Sequence, residues 1–138
     1  MVVVAVIGLL AAMAMAGFKR AGENARNSRY ASDLEVARTA FIEYSFIHGR
    51  YPPDVTPGIM PTGMSESLAR MKWAKETSLG GRWDWDYRQF GVTAGVSVYR
   101  PSANREQLQR LDQLIDDGNL NTGGFRARAD GYISVIED

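Results

Sequence analysis

The chain has 138 residues, enough for one domain and little more. Its 16 Lys and Arg balance 16 Asp and Glu, so it lacks the cation surplus by which nucleic-acid binders displace counterions, and no nucleic-acid partner is expected. With no Cys and a single His, disulfides, thiolate metal sites, cysteine nucleophiles and multi-His metal centres are excluded.

The charges are unevenly placed: residues 1–18, MVVVAVIGLLAAMAMAGF, hold none, and no proline. As a helix this segment would be about 27 Å long, close to the hydrocarbon thickness of a bilayer. Its strongly apolar members (Val2, Val3, Val4, Val6, Ile7, Leu9, Leu10 and Phe18) favour insertion by about 2.5–5 kcal/mol in total. Three readings compete. A cleaved secretory signal fits the small-x-small runs Ala12-Met13-Ala14 and Ala14-Met15-Ala16, but no basic residue precedes the apolar run. A buried helix of a soluble protein would carry a polar face. A retained membrane helix fits best, because the helical pattern continues for another thirty residues. Gly8, Ala12 and Ala16 lie four apart, a spacing that lets helix backbones approach closely in lipid. With Val4, Ile7 and Leu9 they form the expected helix-packing surface.

Residues 19–48 contain no proline. Tyr30, Leu34, Ala37, Phe41 and Tyr44 recur at spacings of four and three, one apolar face of an amphipathic helix, widened by Ala40 and Ile47. Gly49 supplies a stop, and Pro52-Pro53 prevent a restart. One helix spanning both halves would run about 72 Å, more than a domain of this size can bury, so its first half must be covered by lipid or by other copies of the chain. His48, at its end, is expected to face the last carbonyls or solvent.

The organisation is therefore 1–18 as the membrane half of a helix, 19–49 as its amphipathic half, and 50–138 as a small α+β head. Residues 51–63, with four prolines and two glycines, predict a loop. Residues 65–75 predict a short helix with Leu68, Met71 and the Lys72 stem inward. Trp83, Trp85 and Tyr87 alternate with Asp84, Asp86 and Arg88, a strand with an aromatic face. Val92, Ala94, Val96 and Val98 alternate in a second strand, and residues 132–136 predict a third. Between the last two lies a helix that Ser102 or Asn104 can cap, with Leu108, Leu111, Leu114 and Ile115 on its apolar side and Gly118 as its end. The simplest assembly wraps an antiparallel sheet on the second half of the long helix, with Tyr30, Leu34, Phe41, Tyr44, Trp83 and Trp85 at the joint.

Three constellations could carry chemistry. The Trp83/Trp85/Tyr87 face is either a carbohydrate-stacking platform or an ordinary half-buried strand. Asp84 and Asp86, two apart on one strand, share a face about 7 Å apart and are expected to be solvated, which argues against a glycosidase pair. Asp112, Asp116, Asp117, Asn119 and Asn121 surround Gly118. Alternating oxygen ligands suit calcium, but the cluster lacks the closing Glu of an EF-hand loop, and Asp-Asp-Gly-Asn is equally a helix-ending turn. A lone His makes no triad, and Leu79-Gly80-Gly81 lacks the Lys-Ser/Thr of a phosphate loop, so no catalytic residue is expected.

The apolar start followed by a polar helix resembles the N-terminal segment of type IV pilins and type II secretion pseudopilins, and Gly49-Arg50-Tyr51-Pro52 looks like the helix end of major pseudopilins. The resemblance covers about residues 1–53. Gly80-Gly81-Arg82-Trp83-Asp84-Trp85 and Asp116-Asp117-Gly118-Asn119-Leu120 are similar to segments of other prepilin-like proteins. Members of the family begin with a basic leader, a Gly-Phe cleavage point and a nearby glutamate. None of these precedes Met1, so the sequence is expected to begin inside the family helix. Many members carry a proline near the end of the apolar run; here Ala16-Gly17 stands there, and a helix-weakening role falls to Gly17 and Gly22. The terminal disulfide of adhesive pilins is impossible without Cys, which favours a pseudopilin.

The resemblance implies a single-pass protein of the bacterial inner membrane with a periplasmic head. It implies polymerisation through the N-terminal helix into a helical homo-oligomeric fibre, secretion pseudopilus or extracellular pilus. Other pilin-like subunits, an assembly ATPase and an inner-membrane platform would be partners, and calcium in the head is a property of major pseudopilins. One conflict accompanies it: Lys19, Arg20, Arg26 and Arg29 against Glu23 leave a net +3 just beyond the apolar run, which a positive-inside reading would place in the cytoplasm. The alternative function is a membrane-anchored periplasmic binding module, sugar-directed through Trp83, Trp85 and Tyr87, and exposure of those rings discriminates the two.

Overall fold

In the computed structural model, which describes residues 2–138, the chain is α+β: one long helix packed on a small four-stranded antiparallel sheet. The helix, α1, runs without interruption from Val2 to His48, through Gly17 and Gly22. A chain rich in Ala, Leu and Met and free of proline has nothing to break it over this length. Gly49, in the left-handed region at φ +67°, ends it. The His48 ring stacks on Tyr44, and its Nδ1 lies 3.0 Å from the Tyr44 carbonyl.

Residues 50–81 make one long connection along the sheet edge. Gly58 N–H donates to the Trp83 carbonyl and Asp54 accepts from Tyr87 N–H, so the edge of the first strand is covered. The expected helix over 65–75 is reduced to a 3₁₀ turn, Ala69–Met71. Lys72 takes φ 51°, ψ 55° and its N–H returns to the Ala69 carbonyl, which ends the turn after three residues. Its stem is therefore exposed, whereas Leu68 and Met71 point inward as expected, joined by Met64 and Trp73.

The sheet comprises β1 (Arg82–Tyr87), β2 (Ala94–Tyr99), β3 (Phe125–Arg128) and β4 (Gly131–Glu137) in the order β1-β2-β4-β3. Between β2 and β3 lies α2 (Arg105–Ile115), capped by Asn104, whose side chain accepts from Gln107 N–H at 2.8 Å. Gly118, at φ +79°, follows two residues beyond its C-cap, Asp116. β3 has no counterpart in the sequence reading; it pairs with β4 from Phe125–Ser134 to Arg128–Gly131.

The core lies between α1 and the sheet. Trp83 stacks on Tyr30 with ring centroids 4.8 Å apart, and Trp85 on Phe41 at 3.7 Å. Trp73 packs between them, 5.8 Å from Trp83 and edge-on to Phe41. Leu34, Ala37 and Ala40 are buried on the same helix face, and Tyr44 is half-buried at its margin. Ile47 and Leu114, read as inward, are 69% and 58% exposed, because α1 outruns the head at one end and α2 buries only Gln107, Leu108, Leu111 and Asp112.

Candidate functional site

The feature that sets this chain apart from a self-contained domain is the first half of α1. Every residue from 2 to 21 is exposed, including Val4, Ile7, Gly8, Leu9, Ala12 and Ala16. Val4, Ile7, Leu9, Met15 and Phe18 are each more than 60% exposed. The segment is long and apolar enough to cross a membrane, and none of its window is buried within the chain. A continuous apolar surface of this extent is far outside what a soluble monomer displays singly.

The head begins where this surface ends. Glu23 and Asn27 continue the four-and-three spacing of the apolar stripe toward the N-terminus, and both are buried, against α2. Glu23 pairs with Arg110, which also donates to Asn24 at 3.3 Å. Asn27 donates to the Gln107 carbonyl at 2.9 Å and accepts from the Gln107 amide at 3.1 Å. These polar contacts fix α2 across α1 just above the exposed half. An apolar count of the sequence passes over them, although their spacing on the helix points to this face.

At the far end of α2, carboxylate oxygens of Asp112, Asp116 and Asp117 lie within 4.8 Å of one another. Asp112 is 0% exposed, and neither of its oxygens has a hydrogen-bond partner. Burial, then the charges of Asp117 and Asp116, push its pKa up to about 6. The other two are exposed: Asp116 accepts from Phe125 N–H, and Asp117 from Thr122 Oγ1 and Asn119 N–H. The Thr122 hydroxyl, then the Asn119 amide, hold Asp117 below the usual carboxylate range. Asn119 Oδ1 accepts from Asn121 N–H within the same turn. A buried carboxylate with both oxygens unpartnered is costly alone, and three hard oxygen donors converging at this distance fit a calcium-like cation.

On the aromatic strand, the structure decides between the two alternatives for the rings and corrects the expectation for the carboxylates. Trp83 and Trp85 are 1% and 0% exposed, stacked on α1, with Tyr87 half-buried beside them, so they offer no platform to a sugar. Asp84 and Asp86 are not solvated: they are 4% and 3% exposed on the opposite face of β1. Arg128 reaches back across the sheet from β3, donating to Asp84 at 2.5 Å and lying 3.5 Å from Asp86, while Ser97 Oγ donates to Asp86. The Phe90 ring covers the guanidinium at 4.3 Å. Two carboxylates share one cation, and burial first, then the Asp86 charge, push Asp84 up to about 7 against the opposing pull of Arg128. The Phe90 ring lies over one side of the group, and Arg128 ties β3 to β1 across the sheet.

Compared with protein-family models, with curated proteins and with solved structures, the chain matches none.

Proposed function

We propose that the chain is a structural subunit of a type IV pilus-like or type II secretion pseudopilus fibre, anchored in a membrane before assembly and polymerising through the first half of α1. The observation that carries this reading is the continuity of α1: one unbroken helix whose residues 2–21 are wholly exposed and whose residues 23–41 form the joint of the head. A segment merely to be cleaved off needs no rigid coupling to the domain behind it. Here the helix passes unbroken from one to the other, so whatever covers the apolar half also positions the head. Lipid covers it in one state and neighbouring copies in the other. Apolar surface is buried in both, so the exchange is nearly balanced. Exposed charges such as the Arg100–Asp130 pair then contribute more to the register of neighbouring heads than to affinity. Inner-membrane location, a periplasmic head, a platform and an assembly ATPase belong to the same proposal, and no chemistry is assigned to the chain itself.

Because the sequence has no Cys, single cysteines are clean reporters. Ala12→Cys and Ala16→Cys in the full chain, expressed in a bacterial host with a fibre-assembly system, are expected to give disulfide-linked dimers under oxidation, and antibody to the head is expected to label thin fibres by electron microscopy. A chain that stays monomeric, and is released from membranes as a soluble head, overturns the reading.

Within the head, Asp112, Asp116 and Asp117 would hold a hard divalent cation that ties the end of α2 to β3; when bound, it neutralises the buried Asp112 carboxylate. Calcium at a hundredfold excess over its dissociation constant is expected to stabilise the head by about 2.7 kcal/mol at neutral pH. The gain should fade as pH falls below about 6, where Asp112 takes up a proton. Thermal unfolding with and without calcium checks this, and Asp112→Asn is expected to remove the calcium response.

A further inference from the structure

We propose that the groove between α1 and α2, at the end of the apolar run, binds the phosphate of an anionic phospholipid. The groove has a volume of about 520 Å³ and is lined on the α1 side by Ala16, Lys19 and Arg20 and on the α2 side by Gln109, Arg110 and Gln113. This inference rests on the reading of residues 2–18 as lipid-embedded.

Position and charge both point to that occupant. Lys19 and Arg20 directly follow Phe18, itself 77% exposed, so with the apolar run in hydrocarbon their cations stand at the depth of the phosphates. Both are exposed, and neither has an ion-pair partner among the described residues. Two carboxylates also line the groove, and they do not reverse its sign. Glu23 is buried and matched by Arg110, a pair neutral in itself. Glu106 is set against both Lys19 and Arg20, which leaves an excess of one positive charge. The amides of Gln109 and Gln113 add neutral donors on the opposite wall. A free phosphate ion would use only the polar wall. A phospholipid also uses the apolar side of the groove at Ala16, which is continuous with the exposed span.

The geometry makes α2 part of the site. Its placement across α1 through Glu23–Arg110 and Asn27–Gln107 brings a second wall to the boundary, which a bare helix with two terminal cations would lack. The head would then be held at a fixed height and tilt on an anionic leaflet, and extraction into a fibre would require release of that lipid.

The test uses the full chain in phosphatidylcholine vesicles with and without phosphatidylglycerol, and spin-labelled versions of each lipid to measure the selectivity of the motionally restricted shell. One excess cation at the surface is expected to give about a five-fold preference for phosphatidylglycerol, falling toward parity at high salt. Lys19→Gln with Arg20→Gln should abolish the preference. Gln109→Glu, which alters only the α2 wall, should reduce it to near parity. Arg29→Gln, removing an exposed cation more than two turns further along α1, should leave it unchanged. Inorganic phosphate at matched ionic strength should displace no more lipid than chloride does. Parity in the wild-type chain, a preference untouched by Gln109→Glu, or selective displacement by inorganic phosphate overturns the proposal. A chain that restricts neither lipid overturns the membrane reading beneath it, a result distinct from insertion without preference.

Discussion

Replacing Trp85 by Ala is expected to destabilise the head by about 3–5 kcal/mol, the range for truncating a fully buried aromatic. Trp85 is 0% exposed, its ring lies face to face with Phe41 at 3.7 Å, and its indole N–H donates to the Pro52 carbonyl at 3.0 Å. One side chain thus joins three parts of the chain: β1, α1 and the loop that follows α1. Truncation leaves a cavity at the joint, removes the stacking partner of Phe41 and strips a buried carbonyl of its donor. In a domain of this size the loss corresponds to a fall in Tm of about 15 °C or more. Near-UV circular dichroism of the full chain in micelles reads it, because the aromatic signal reports the head. The far-UV helical signal should largely survive, since the first half of α1 takes its cover from the micelle. Phe46→Ala is the control: that ring is 83% exposed, and its loss is expected to stay within about 0.5 kcal/mol. A Trp85→Ala chain that melts with the control would show that helix and sheet are joined elsewhere.

The contrast between those two aromatics also marks what the sequence made legible. Tyr30, Leu34, Ala37 and Phe41 fell on one helix face by spacing alone, and Gly49 marked the helix end, because both signals are local. Alternation placed Trp83 and Trp85 together on one side of β1 for the same reason. What stayed hidden depends on distant partners. Asp84 and Asp86 read as solvated because nothing within β1 neutralises them; their cation arrives from residue 128, on a strand that is itself hard to read. β3 has one buried apolar residue, Phe125, follows Gly123-Gly124, and is held as a strand by its pairing with β4. Trp73 and Met64 lie in a stretch without period, where only the packed core shows that they are inside. In the acidic turn, composition pointed to Asp112, Asp116 and Asp117 together. It could not single out Asp112 as the buried one, because that follows from α2 packing on α1. Asn119 Oδ1, grouped with them by proximity in sequence, accepts from Asn121 N–H within the turn.

The Asp84–Arg128–Asp86 group makes the stability of the head depend on pH in an unusual direction. Arg128→Met is expected to cost about 3–5 kcal/mol near pH 8, because it leaves two carboxylates buried together without a cation. The cost should shrink as pH falls, since protonation removes the uncompensated charge. In the wild-type chain Asp84 titrates near 7 when folded, raised by burial and then by Asp86, against about 4 when unfolded. A folded value above the unfolded one means that the folded chain holds the proton more tightly. The contribution of Asp84 is therefore fully present below about pH 4 and is lost as pH rises to 7. Asp86, raised by burial but restrained by the Ser97 hydroxyl and by Arg128, works in the same direction. Asp84→Asn carries no charge at any pH and leaves Asp86 matched one to one with Arg128. It is expected to flatten the stability profile between pH 4 and 7 and to exceed the wild type above pH 7. Urea unfolding of the three chains at pH 5 and pH 8 separates the possibilities. If Asp84→Asn proves less stable than the wild type at pH 8, the second carboxylate is a needed anchor for Arg128. If it proves more stable, one aspartate suffices to hold β3 to the sheet and the other is carried at a cost that acid relieves.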